Sequence, residues 1–137
     1  MKIGDLSIGD WVQDNYGNCV KVAGIWQGCN FNYQVDLHRD GAIGTILPCN
    51  IHPIPITAEI LEKNGFVRGN RGDFYHYHRL DKNRTLYIHA STNGWRVEIT
   101  YDAAGILRTT HLMPDMNSVH DLQHALRLAG LDKAINL

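Results

Sequence analysis

The sequence has few cysteines, no long apolar run and no excess of either charge, and each shortage excludes a class of protein. Its three cysteines are an odd number at spacings that fit neither a disulfide framework nor a CxxC zinc site. No apolar segment approaches the roughly 20 residues that a membrane-spanning helix needs, and MKIGDLSIGDW lacks the apolar core of a secretory signal. We therefore expect a cytoplasmic protein with reduced thiols and no membrane partner.

The sequence also lacks a strong net charge and the common catalytic motifs. Thirteen Lys and Arg residues against fourteen Asp and Glu residues leave a formal net charge of −1, too balanced for the broad positive field that non-specific phosphate binding uses. The sequence contains no GxSxG elbow, Walker loop, dinucleotide fingerprint or HExxH motif. We expect no cofactor.

The 137 residues, 44% of them hydrophobic, are enough for one good core or two small ones. Up to about residue 52, short β-like runs such as YQVDL alternate with turn signals such as DNYGN. In YQVDL, Val35 and Leu37 alternate with polar residues, so one face of this strand is apolar. The pattern predicts an SH3-like small β-barrel over residues 1–52. The four apolar positions expected to be buried in it are Val20, Val22, Val35 and Leu37.

A proline-rich linker, PCNIHPIPIT, indicates a boundary near residue 53. Thr57 can cap the short helix AEILEKN that follows the linker. Gly65 can end that helix, with Phe66 folded back onto Leu61. The linker and the helix therefore predict a second unit that begins at residue 53.

The rest of the second unit, to residue 137, contains four or five β-like runs joined by turns short enough for hairpins. A last helix follows, in which the Ser118 hydroxyl and the Asp121 carboxylate can form a capping box. The predicted fold class is α+β, an SH3-like barrel followed by an antiparallel β-meander with two helices.

Three stretches occur in the order LSIGDWV, PIPITAEILEKNGF and SVHDLQHALRLAG. Together they resemble a set of small uncharacterised proteins encoded by gut anaerobic bacteria and by their prophages and mobile elements. In that set an opening like RIGNYV, a PIPLT followed by a short helix and GF, and a closing VHQLQN helix recur. This chain departs from the pattern at Asp10, His124 and Ala129. The resemblance implies a phage or mobile-element accessory protein and no particular activity.

The strand FYHYHRL carries the richest set of candidate side chains. Alternation places Phe74, His76, His78 and Leu80 on one face and Tyr75, Tyr77 and Arg79 on the other. Asp73, Arg79 and Asp81 share the tyrosine face, and burying three charges costs more than half-burying two neutral imidazoles. The sequence therefore favours outward tyrosines.

With the tyrosines outward, Tyr75, Tyr77 and Arg79 join Tyr87 and Arg96 in an aromatic and basic surface. Such surfaces stack nucleic-acid bases or anchor proteins, because large rigid rings bind at low entropic cost. The barrel loops from Trp26 to Tyr33 are a further candidate for a protein partner. This interpretation predicts a non-catalytic binding module, with a protein as the first choice of partner and a single-stranded nucleic acid as the second.

With the histidines outward, His76 and His78 could join His89 and Glu98 in a metal or acid/base cluster. The protein would then be a small metal-dependent hydrolase. Enzyme and binding module therefore remain alternatives, and the binding module is favoured.

A second histidine pair, His120 and His124, lies four residues apart in the last helix. Helical spacing places the pair opposite the apolar stripe of Leu122 and Leu126. The general-base Glu of HExxH enzymes is missing, since Asp121 follows His120. We therefore expect a solvated surface or a contact between the units at this pair, and no metal.

Overall fold

The computed structural model describes residues 2–29, 32–70, 75–131 and 133–137, and at Pro114 it describes the backbone alone. Contacts divide the chain into two compact units, Met1–Ile54 and Pro55–Leu137. Both units are built on antiparallel sheets, and both α-helices belong to the second. The fold class is therefore α+β.

The first unit is a five-stranded antiparallel sheet in the strand order β4-β3-β2-β1-β5. The strands are β1 (Trp11–Asp14), β2 (Cys19–Gln27), β3 (Tyr33–Arg39), β4 (Ala42–Ile46) and β5 (Ile51–His52). Two short 3-10 turns cover Ile3–Asp5 and Pro48–Asn50, and the described residues of this unit contain no α-helix. The edge strands β4 and β5 are not paired with each other in these residues, so a closed barrel is not observed.

The core of the first unit lies on one face of its sheet. The predicted positions Val20, Val22, Val35 and Leu37 are all buried, which confirms the expected alternation. Leu6, Val12 and Ile51 complete the buried cluster.

The turn between β1 and β2 is organised by Asp14. Its carboxylate accepts hydrogen bonds from the backbone N–H groups of Tyr16 and Asn18 and from the Asn18 side chain, at 2.8–3.1 Å. Arg39 lies 2.9 Å from the same carboxylate. These contacts, the Asn18 side-chain bond foremost, hold the pKa of Asp14 below its usual value.

In the second unit, an antiparallel meander of five strands follows one helix along the chain and precedes the other. Its elements are α1 (Ala58–Lys63), β6 (Val67–Arg68), β7 (Tyr75–Arg79), β8 (Arg84–Ser91), β9 (Gly94–Ala103), β10 (Ile106–Met116) and α2 (Val119–Leu128). The strand order β10-β9-β8-β7-β6 follows the chain. Neither α1 nor α2 is long and apolar enough to cross a membrane.

Both ends of α1 agree with the sequence prediction. The Thr57 side chain accepts a hydrogen bond from the Ile60 N–H at 3.2 Å. Gly65 has a φ of +78°, a conformation that favours glycine, and the Phe66 N–H donates back to the Leu61 carbonyl at 3.0 Å. Phe66 and Leu61 are both buried, so the turn is fixed by packing as well as by hydrogen bonds.

Helix α2 is also capped as predicted. The Ser118 hydroxyl accepts from the Asp121 N–H, and the Asp121 carboxylate accepts from the Ser118 N–H. Leu122 and Leu126 are fully buried. The helix is therefore held at its start by the capping box and along its length by the leucine stripe.

Candidate functional site

Strand β7 places its histidines and its tyrosines on opposite faces of the second sheet. His76 is 0% exposed, whereas Tyr75 and Tyr77 are half-buried and Arg79 is exposed. The predicted outward register of the tyrosines is confirmed. Of the residues used in that prediction, Asp73 and Phe74 lie outside the described part of the chain.

Three tyrosines from two neighbouring strands meet on the outward face. Tyr77 lies directly opposite Tyr87, and the Tyr75 ring lies 5.5 Å from the Tyr87 ring, centroid to centroid. The Tyr77 and Tyr87 rings are 6.3 Å apart and inclined by 44°. We call the surface formed by Tyr75, Tyr77 and Tyr87 the tyrosine face.

Two arginines flank the tyrosine face at opposite corners. Arg79 lies two residues beyond Tyr77 on β7, and Arg96 lies on β9 opposite His89. From the spacing and rise of β-strands, the two arginine backbones are about 16 Å apart, with Tyr87 at the middle of the diagonal. Neither arginine forms an ion pair within the described residues.

A carboxylate between two imidazoles adjoins the tyrosine face. Glu98 lies opposite Tyr87 on one side and opposite His111 on the other. Its Oε1 atom is 2.9 Å from Nδ1 of His111 and 3.4 Å from Nε2 of His89. The Glu98 charge is therefore already engaged by its neighbours.

A concavity of about 420 Å³ opens beside the tyrosines. Arg68, Gly69 and Asn70 form its other side. A Cβ atom at Gly69 would come within 2.1 Å of Cδ1 of Tyr75, so glycine is what leaves room for the Tyr75 ring. The concavity therefore depends on this glycine.

The opposite face of the second sheet buries His76 beside α1. Neither ring nitrogen has a hydrogen-bond partner among the described residues, and the Nε2 atom lies 3.6 Å from Oε1 of Glu62. Arg68 donates to the same Glu62 oxygen at 2.7 Å. That hydrogen bond, followed by the positive charge of Arg68, holds the pKa of Glu62 below its usual value.

The alternative metal set of His76, His78 and His89 is not brought together. His89 is the cross-strand partner of Tyr75 and shares its outward face, whereas His76 is buried on the other face. The Nδ1 atom of His78 lies 3.1 Å from the Gly65 carbonyl. In the described ranges, no group of three His, Cys, Asp or Glu residues is arranged to hold a metal ion.

Of the two expectations for the histidine pair on α2, a solvated surface or a contact between the units, the solvated surface is wrong for His120. This residue is only 5% exposed, and its Nδ1 atom lies 2.8 Å from the Ser118 hydroxyl. His124 is half-buried, with the two rings 6.1 Å apart in an edge arrangement. The buried arc of the helix is wider than its apolar stripe, because it includes Gln123 as well as His120.

The remaining predicted residue, Trp26, belongs to β2 of the first unit and is 44% exposed. It is therefore not part of the tyrosine face. The proposed loop from Trp26 to Tyr33 includes Asn30 and Phe31, which lie outside the described residues.

The pairing of Glu98 with His111 was missed by sequence reasoning, although a signal for it was present. The turn between β9 and β10 contains two residues, Ala104 and Gly105, both with positive φ. Such a turn fixes the register of a hairpin, and counting outward from it pairs Glu98 with His111.

Comparisons with family models, curated proteins and solved structures found no match to this chain.

Proposed function

We propose that this protein is a non-catalytic binding module and that the tyrosine face is its contact surface. The proposal rests on three half-buried tyrosines whose rings meet on one outward face, Tyr75, Tyr77 and Tyr87. A tyrosine held in this way offers a broad ring at low cost in conformational entropy.

The hydroxyl groups support the same proposal. Those of Tyr77 and Tyr87 have no hydrogen-bond partner within the described residues. Each can therefore donate to, or accept from, a bound molecule while its ring provides apolar contact.

The competing hydrolase proposal has less support. Its three histidines are divided between two faces of the sheet, so they cannot act on one substrate atom together. The histidines that do share a carboxylate, His89 and His111, lie 3.4 and 2.9 Å from Oε1 of Glu98 on the outward face, away from His76.

Two classes of partner remain as proposals, with a protein ranked first by the sequence and a single-stranded nucleic acid second. Tyrosine and arginine are enriched at the residues that dominate protein–protein binding energy, which supports a protein partner. Arg79 and Arg96 lie beside the rings and form no ion pair with any residue that the structure describes, which supports a nucleic acid because arginine binds phosphates.

Three further proposals concern context. For the first unit, a meander of four strands with a short fifth strand returning beside the first supports an SH3-like barrel. The resemblance of its three stretches supports a phage or mobile-element accessory protein. The free thiols of Cys19, Cys29 and Cys49 support a cytoplasmic location, because thiols stay reduced there.

Site-specific photocrosslinking in the native host cells tests the contact surface. A photoreactive phenylalanine analogue is placed at Tyr77 and, as a matched control, at Thr109, an exposed position on the same side of the second sheet. We expect adducts at position 77 that are lost when Tyr75→Ala is added. Equal adduct yields at positions 77 and 109 would contradict the proposal.

A further inference from the structure

We infer that the ligand of the tyrosine face is a single-stranded nucleic acid that runs along the diagonal from Arg96 across Tyr87 to Arg79. This inference rests on the proposed function, and it adds the chemical class and the path of the ligand. It is supported by the surface that the three rings form and by the arrangement of charge around them.

The three rings meet in one surface on which unpaired bases can stack. The centroids are 5.5 Å apart for Tyr75 and Tyr87 and 6.3 Å apart for Tyr77 and Tyr87. Neighbouring bases in a duplex strand are stacked about 3.4 Å apart, and their faces are covered by one another. A base can stack on a tyrosine only when its face is free, so the rings select single strands over duplexes.

The charges fit a phosphate backbone. Arg79 and Arg96 form no ion pair in the part of the chain that the structure describes, so both guanidinium groups remain available for phosphates. The carboxylate nearest to them by cross-strand pairing, Glu98, is held by His111 at 2.9 Å and His89 at 3.4 Å. Its repulsion of a phosphate is reduced because a ring N–H group of an imidazole can donate a hydrogen bond to it.

The same charges argue against a protein as the main ligand of this surface. The centre of a protein–protein interface is depleted in charged residues. Here Arg96 and Glu98 lie on β9, directly beside the strand β8 that carries Tyr87, and Arg79 continues the tyrosine row of β7. A charged surface interleaved with aromatic rings is the arrangement found in single-strand binders.

The test is fluorescence anisotropy with the full chain and a labelled oligothymidylate, its RNA counterpart, and a DNA duplex of the same length. We expect both single strands to bind and the duplex to bind more weakly. Tyr87→Ala should weaken single-strand binding about 5- to 150-fold, which is the worth of one base–aromatic stack. Tyr87→Phe, which keeps the ring, should bind within a few-fold of wild type.

A second pair of variants tests the phosphate contacts without disturbing the rings. Arg79→Gln and Arg96→Gln should each reduce the slope of log K against log salt by about 0.7, measured from about 50 to about 200 mM salt. The matched control Thr109→Ala lies on the same face outside the diagonal and should leave both affinity and slope unchanged. If the arginines had only a structural role, the Gln variants would keep the wild-type slope of log K against log salt.

Three results would overturn the inference: no binding of either single strand at low salt, equal binding of duplex and single strands, or an unchanged salt slope in both arginine variants. If photocrosslinking from Tyr77 nevertheless captures a protein, the binding module stands and its ligand is a protein. If there are neither crosslinks nor oligonucleotide binding, the proposed function fails as well.

Discussion

The ring of Tyr75 occupies the space that a side chain at Gly69 would need. A Cβ atom added to Gly69 would lie 2.1 Å from Cδ1 and 2.7 Å from Cε1 of this ring. The Gly69 N–H also donates to the Tyr75 carbonyl at 2.8 Å, so the backbones of the two residues are fixed close together. The position of one ring of the tyrosine face is therefore coupled to the absence of a side chain at residue 69.

This coupling predicts that Gly69→Ala displaces the Tyr75 ring and destabilises the second unit by about 1–3 kcal/mol, the usual cost of overpacking. Urea unfolding measures the loss. The control is Gly44→Ala, where an added Cβ meets no atom within 4 Å and should change the stability by less than about 0.5 kcal/mol. Equal stabilities of the two variants would show that the ring is free to move.

Helix α2 offers a comparison between two leucines of opposite exposure. Leu126 is 0% exposed and Leu128 is 67% exposed. Leu126→Ala should cost about 2–5 kcal/mol of unfolding free energy, because it removes buried methyl groups and leaves a cavity, whereas Leu128→Ala should stay within about 0.5 kcal/mol. The same result is expected for Leu122→Ala as for Leu126→Ala. Similar losses at positions 126 and 128 would contradict the assigned packing.

The buried His120 changes what is expected of the histidine pair. His120→Ala removes a buried ring and should cost about 0.5–3 kcal/mol of unfolding free energy through the cavity that it leaves, while the Ser118 hydroxyl keeps its hydrogen bonds to Asp121. His124→Ala should be close to neutral. The thermal unfolding midpoints of wild type, of both single variants and of the double variant are measured with and without a chelator. A chelator-induced drop in the wild-type midpoint that disappears in the double variant would restore a metal role for the pair.

Acid should destabilise the first unit through Asp14. Its pKa in the folded protein lies below the ordinary value of 3.8, chiefly because the Asn18 side chain donates to it. The carboxylate therefore stabilises the fold above about pH 3.8, and this stabilisation is lost as the pH falls through the lower folded-state pKa. Asn18→Ala should flatten this part of the stability profile, measured by urea unfolding between about pH 5 and pH 2.

The control for the acid profile is Asn93→Ala, a turn residue with no hydrogen bond to a carboxyl group in the described chain. It should leave the profile of the wild type unchanged. Parallel wild-type and Asn18→Ala profiles would show that Asp14 is not held in its ionised form by Asn18.

Much of the fold follows from local sequence signals, because caps and alternation act over a few residues. Thr57, Gly65 and Ser118 set helix ends as predicted, and Val35 and Leu37 are buried as their alternation predicts. The outward register of Tyr77 follows from keeping charges out of the core.

Features that depend on distant parts of the chain could not be predicted in the same way. Periodicity identifies the apolar stripe of α2 but not the width of the arc that becomes buried, so it could not decide between a solvated and a buried His120. The fit of Tyr75 over Gly69 depends on how the chain returns between β6 and β7, which no spacing rule specifies.

The tyrosine signals in NMR spectra report directly whether a single strand binds at the tyrosine face. The chain has six tyrosines, of which Tyr16 and Tyr33 belong to the first unit and Tyr101 lies on the opposite side of the second sheet. With ¹³C-labelled tyrosine and added oligothymidylate, we expect changes in chemical shift only for the ring signals of Tyr75, Tyr77 and Tyr87. Changes centred on Tyr16, Tyr33 or Tyr101, with the other three unmoved, would contradict this expectation.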